Sequence, residues 1–205
     1  MSIVTYNNRS IRNISAVPGA AKSLTHIKTL TASSSATLSF VDGSDDVVLD
    51  STYPIYLFKF IGIHPGTSNA DLGILASTDT GSSYGVATTS TFFDSKHRED
   101  DSLATVEYIA SFDAAQSTSL VKVTGSIASD NDSIGSGEMY LFNPSSTTFV
   151  KHFLARSNRM FNATSIDSFV GGYVNTTSAV DAIQFKMDSG NIDAGTIKLY
   201  GIKDS

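Results

Sequence analysis

Three groups of residues in this sequence have the types and spacing that could do chemistry. The first is Gly81-Ser82-Ser83-Tyr84-Gly85, which matches the G-x-S-x-G pattern of a serine nucleophile on a strand–turn–helix elbow. Such an elbow needs a helix after the serine, and Val86-Ala-Thr-Thr-Ser-Thr91 is a strand former. His97 and His152 are the only later imidazoles, so the stretch reads as a Ser/Gly turn rather than a hydrolase site. The second group is Asp130-Asn131-Asp132-Ser133-Ile134-Gly135, a partial likeness to a calcium loop. A calcium loop needs an oxygen ligand where Ile134 stands and a glutamate where Leu141 stands, so an Asx-rich turn is the better reading. The third is the set of carboxylates Asp94, Glu99, Asp100, Asp101 and Glu138, which could supply the acid pair of a glycosidase only if folding paired them. Tyr84, Tyr108 and Tyr140 could stack on sugars without catalysis, although tyrosines on strands more often pack on the sheet. His26, His64, His97 and His152 lack metal-ligand spacing, and there is no cysteine, which removes disulfides and thiolate chemistry. No catalytic residue, cofactor or metal is therefore expected.

These residues need elements to hold them, and the pattern that recurs along the chain has a period of two. It is plainest around Asn143-Pro144-Ser145-Ser146, a turn between two alternating runs. Before it Glu138, Tyr140 and Phe142 share one face, and Met139 and Leu141 share the other. After it Val150, His152 and Leu154 alternate with Phe149, Lys151 and Phe153. Large side chains on both faces imply a hairpin covered on one side by a second sheet and on the other by a neighbouring copy. That makes Tyr140, Phe142, His152 and Leu154 candidate interface residues.

Other expected strands lie near 24–31, 36–41, 47–49, 72–76, 86–93, 103–111, 120–124, 169–175, 182–187 and 196–202. Ile55–Ile63, the strongest apolar run, reads as a central strand covered on both faces. Ser95–Ser102 reads as a charged surface loop or edge, Phe112–Gln116 as a helical turn, and Ser157–Ser168 as irregular. Ten to twelve short strands and no amphipathic helix predict an all-β fold, a two-sheet β-sandwich of jelly-roll type. At 205 residues a single domain, residues 23–205, is expected after an extended N-terminal arm, residues 1–22.

Charge is placed unevenly. Arg9, Arg12, Lys22 and Lys28 precede the first acid, Asp42, which leaves the remainder near −10. These four cations are candidate anchor residues for an acidic partner surface, such as another copy of the chain. They are too sparse for a nucleic-acid footprint, so no nucleic acid is expected. The first residues lack the basic and apolar regions of a secretory signal, and no apolar run is long enough to span a bilayer, so no membrane partner is expected either.

Four stretches carry a resemblance: Thr91-Phe-Phe93; Leu141 to Phe153; Gly171 to Met187; and Ser189-Gly-Asn-Ile followed by Gly195-Thr-Ile-Lys-Leu-Tyr-Gly-Ile202. They resemble structural proteins of marine tailed bacteriophages, including those of cyanobacteria. The resemblance spans roughly residues 55 to 202 and is closest in the final third. Where related chains carry an aromatic-rich segment, this one has Asp94-Ser-Lys-His-Arg98, so a partner contact there would differ from theirs. The resemblance implies a virion protein assembled in the host cytoplasm, without catalysis. The expected job is to decorate or cement the capsid as a homo-oligomer, a trimer, bound to the major capsid protein. The alternative is a tail-associated fibre or receptor-binding protein, bound to tail proteins, that contacts host surface glycan.

Overall fold

The computed structural model describes residues 24–203, and the expected arm boundary with Arg9, Arg12 and Lys22 lies outside the described residues. Twelve strands are present among the described residues: β1 (Leu24–Ser35), β2 (Leu38–Val41), β3 (Ile55–Pro65), β4 (Ala70–Ser77), β5 (Thr88–Arg98), β6 (Ala104–Tyr108), β7 (Val121–Ile127), β8 (Gly135–Phe142), β9 (Lys151–Phe161), β10 (Thr164–Val174), β11 (Ala182–Met187) and β12 (Ile192–Ile202). All pairings are antiparallel. One sheet has eight strands in the order β1-β12-β3-β8-β9-β10-β5-β6, and the other has four in the order β2-β11-β4-β7.

Four nested pairs, β1 with β12, β2 with β11, β3 with β8 and β4 with β7, form one long ribbon. Pairing of β12 with β3 and of β11 with β4 rolls that ribbon into a jelly roll. Two hairpins are inserted into it. β5–β6 enters between β4 and β7, and β9–β10 between β8 and β11. Together they extend the large sheet beyond β8, so half of that sheet belongs to the insertions.

The core lies between the sheets, where alternation buries one face of each strand. Its centre is an aromatic cluster. Phe185 lies 6.2 Å from Phe40, 5.4 Å from Phe58 and 6.1 Å from Phe60, measured between ring centroids. Each of these rings is at most 1% exposed. Beside β7, the inner face of the insertions is polar. Arg159 donates to the Ser126 carbonyl at 3.1 Å, to the Ser168 hydroxyl, and to Asp94 at 3.1 Å. Ser168 donates in turn to Asp94 at 2.6 Å. Gly125 leaves room for this guanidinium, since a Cβ there would stand 2.3 Å from Arg159 Nη2.

Several local expectations need correction. Residues 157–168 are not irregular. They are the end of β9, a two-residue turn at Asn162-Ala163, and the start of β10. The charged Ser95–Arg98 stretch continues β5, because β10 and β6 pair with it on both sides. Residues 47–49 form no strand; Val47 and Leu49 are buried in an irregular segment, where Asp42 accepts the Leu49 N–H at 2.7 Å. The helical turn lies at Ala110–Phe112, two residues ahead of its expected start. β3 is covered fully only on its inner face, since Lys59 is half-exposed and Ile61 is 48% exposed on the outer one.

The Asn162-Ala163 turn has positive φ at both residues, 49° and 54°, the conformation of a type I′ hairpin. Alanine is strained there because its Cβ crowds the carbonyl, whereas glycine is not. Ala163→Gly is expected to raise stability by about 1 kcal/mol. Equilibrium denaturation checks this, and a loss of stability would rule out the strained turn.

Candidate interaction face

The residues that could meet a partner lie on the outer face of the large sheet, and strand register aligns them in rows. In one row Lys198 of β12, Lys59 of β3, Glu138 of β8 and Arg156 of β9 are cross-strand neighbours. The row continues through Phe169 of β10 and Phe93 of β5 to Tyr108 of β6. Two residues along each strand lies a second row. It runs from Leu57 through Tyr140 and Leu154 to Gly171 and Thr91. Beside it Phe142 pairs with Ile55, and His152 with Tyr173.

All four expected interface residues, Tyr140, Phe142, His152 and Leu154, thus share this face. Tyr140 and Leu154 are direct cross-strand partners, and the Tyr140 and Phe142 rings stack with centroids 6.5 Å apart. The phase of the alternation made this group legible. It did not reveal Phe93, Phe169, Arg156 or Gly171, which come from the inserted hairpins. The outward phase of Phe169 in the 169–175 run was the available signal.

The rings on this face use their own surfaces on one another. Phe93 and Phe169 stack at 4.9 Å with planes 8° apart. The Arg156 guanidinium covers Phe169 at 4.9 Å. That guanidinium is fixed by a two-toothed bond to Asp167, with Nη2 donating to Oδ2 at 2.7 Å and Nε to Oδ1 at 3.3 Å. Glu138 lies 3.6 Å from Lys59 and accepts the Tyr140 hydroxyl at 3.4 Å. Burial, and then the Glu138 charge, push the Tyr140 hydroxyl above its ordinary pKa, so it stays a donor. The outcome is a row of planar groups stacked on one another, with paired charges at its flank.

Between these groups lies a shallow hollow of about 440 Å³, bounded by Tyr140, Leu154, Phe169, Phe93 and Thr91. Its floor is open because Gly171 has no side chain. The residue is sterically free to carry one, since a Cβ at Gly171 would meet nothing nearer than Leu154 Cδ2 at 3.4 Å. Adjacent Gly172 differs, as a Cβ there would stand 2.5 Å from the Thr89 carbonyl and 2.6 Å from the Phe153 ring.

The remaining candidates fall elsewhere. Lys28 donates to the Asp45 carbonyl at 2.7 Å and so is engaged by its own chain. Asp94 is buried against Arg159, Glu99 to Asp101 lie on the β5–β6 turn, and Glu138 is on the outer face, so folding does not gather these carboxylates. The Asp130 carbonyl accepts the Ser133 N–H at 2.9 Å, closing a turn. Among the described residues no three His, Asp or Glu side chains are grouped to hold a metal ion. Ser83 donates to Asp79, and the chain then enters β5, so the serine does not stand on a strand–turn–helix elbow.

Asp79 accepts from Ser83 and Ser77, and these bonds lower its pKa to about 2. A depressed carboxylate stabilises its loop fully above its unfolded value and stops doing so as pH falls through the folded one. The 77–85 loop is therefore expected to keep its structure at pH 3 and to open as pH falls through about 2. Amide exchange at Gly81 and Ser83 reads this, and equal protection at pH 3 and pH 1.5 would refute it.

Comparisons with protein-family models, curated proteins and solved structures find no match to this chain, so its function is argued from this face.

Proposed function

We propose that this chain is a structural protein of a bacteriophage particle that assembles with copies of itself through the outer face of its large sheet. In this reading it decorates or cements the capsid surface as a homotrimer. The resemblance in the final third of the chain motivates the virion setting. The observation that carries the assembly role is the ladder of Arg156, Phe169 and Phe93 beside an apolar hollow. Soluble folds rarely leave such a patch to water unless it meets another protein. Mutual stacking of the rings favours protein contact over the sugar stacking that a tail-associated receptor-binding role would use.

Two measurements test the reading. Sedimentation of the full chain is expected to show a trimer, and a monomer at about 100 µM, far above a typical specific Kd, would overturn the assembly role. Localisation of the chain in a reconstructed particle is expected to place it on the head. Density at the tail tip would replace the decoration role with the receptor-binding one.

A further inference from the structure

We infer that the hollow over Gly171 is a socket for the Phe149 side chain of a neighbouring copy; this rests on the self-assembly reading above. Phe149 is 72% exposed, the highest value among the exposed large hydrophobic residues of the described part of the chain. It stands on the β8–β9 connection, beside Phe142 and His152 at the end of the sheet, away from the hollow. Its backbone is held rigidly. The Phe149 N–H donates to the Ser146 hydroxyl at 3.1 Å, and its carbonyl accepts from Lys151 Nζ at 3.0 Å. Lys151 is itself fully buried and also grips the Thr176 carbonyl at 3.0 Å. An exposed aromatic on a pre-ordered backbone loses little freedom on binding, as befits an interface anchor.

The socket suits that anchor in size, charge and area. A cavity of about 150 Å³ already accepts a benzene ring, and this hollow is larger, about 440 Å³. Residues 143–150 carry no charge, and the charged rim of the hollow is already paired, Arg156 with Asp167 and Glu138 with Lys59. Docking therefore buries no lone ion. Eight strands spaced about 4.8 Å apart and three rows of side chains give the outer face on the order of 800 Å², the area each partner contributes to a stable interface. Gly171 completes the case, because its own fold leaves space for a side chain there and the sequence supplies none. A knob and a socket at separate positions let each copy give its Phe149 to one neighbour and its hollow to another, the arrangement a closed ring of three uses.

The chain lacks cysteine, which permits clean cross-linking of otherwise unaltered chains. Chains carrying Thr148→Cys, beside the knob, are mixed with chains carrying Thr91→Cys, on the socket rim, and treated with a short bis-maleimide. A covalent dimer is expected in the mixture and not with either chain alone. Phe149→Asp, and separately Gly171→Phe, which fills the hollow from within, are each expected to weaken association by at least about 30-fold while the dissociated chain keeps a native circular dichroism spectrum. Phe149→Leu is expected to retain association. Trimers that persist in Phe149→Asp, with no cross-link in the mixture, would overturn the socket and leave self-assembly standing. Association that survives Phe149→Asp but is lost on deletion of residues 1–23 would assign the hollow to the N-terminal segment instead. A full chain that stays monomeric overturns both readings.

Discussion

Asp94→Ala is expected to destabilise the protein by about 3–5 kcal/mol, the cost of leaving one partner of a buried ion pair uncompensated. Asp94 and Arg159 are 2% and 4% exposed, so water cannot take over the lost partner's role. The Arg159 guanidinium would keep its bonds to Ser126 and Ser168 but would hold a full positive charge with no counter-ion. In a domain of this size that loss lowers Tm by on the order of 10 °C. Asp94→Leu combined with Arg159→Met is expected to recover much of it, because apolar side chains of similar volume replace buried pairs at little net cost. Thermal and urea unfolding of the parent and the two variants measure this. A single mutant within about 1 kcal/mol of the parent would show that solvent reaches the pair.

The site also joins the two insertions to the original roll. Asp94 is on β5, Arg159 on β9 and Ser168 on β10, and Arg159 reaches across to Ser126 on β7 of the small sheet. Loss of the pair is therefore expected to loosen the inserted strands before the aromatic core around Phe185. Amide exchange should rise first in β5, β9 and β10.

Leu154→Glu is expected to abolish assembly while leaving the fold intact. Leu154 is 56% exposed, and substitutions at such positions change stability by roughly 0.5 kcal/mol or less. It also borders the hollow, between Tyr140 and Gly171, on a face that already carries Glu138 and Asp167. A third carboxylate there must be desolvated when a neighbour docks, which is worth at least about 30-fold in affinity. Leu154→Met, which conserves volume, should associate as the parent does. Analytical sedimentation with parallel thermal unfolding separates the two effects. Unchanged association of the glutamate variant would remove this face from the interface.

Much of the fold was legible because alternation of large and polar side chains reports directly which residues a sheet buries. The Met139 and Leu141 phase, opposite Tyr140 and Phe142, assigned β8 its inner and outer faces without any knowledge of its partners. The same rule failed at residues 157–168 for a physical reason. There the inward positions Ser157, Arg159 and Ser168 are polar, because they bond one another, Asp94 and the edge of the small sheet instead of filling an apolar core, and Thr164 bonds the Asn162 carbonyl in the turn. A period-two count that scores hydrophobicity sees no strand in such a segment. Ser95–Ser102, read as a charged loop or edge, hid a strand in the same way, since residues 95–98 pair with β10 and β6 and only the rest of the run is a turn.

By itself, then, the sequence determined that the chain is an all-β sandwich, and that Tyr140, Phe142, His152 and Leu154 share one side of it. Both are local properties, carried by the period of the chain and readable wherever neighbouring residues alternate. Only the tertiary structure decided that strands β9, β10, β5 and β6 extend the sheet beyond β8. It was also what set Phe169 against Phe93 and opened a hollow above Gly171. Those are pairings between residues far apart in the chain, 76 positions between Phe93 and Phe169 and 86 between Thr88 and Val174. Register across such a distance is set by which strands meet, and a glycine becomes a socket only when its cross-strand neighbours are large.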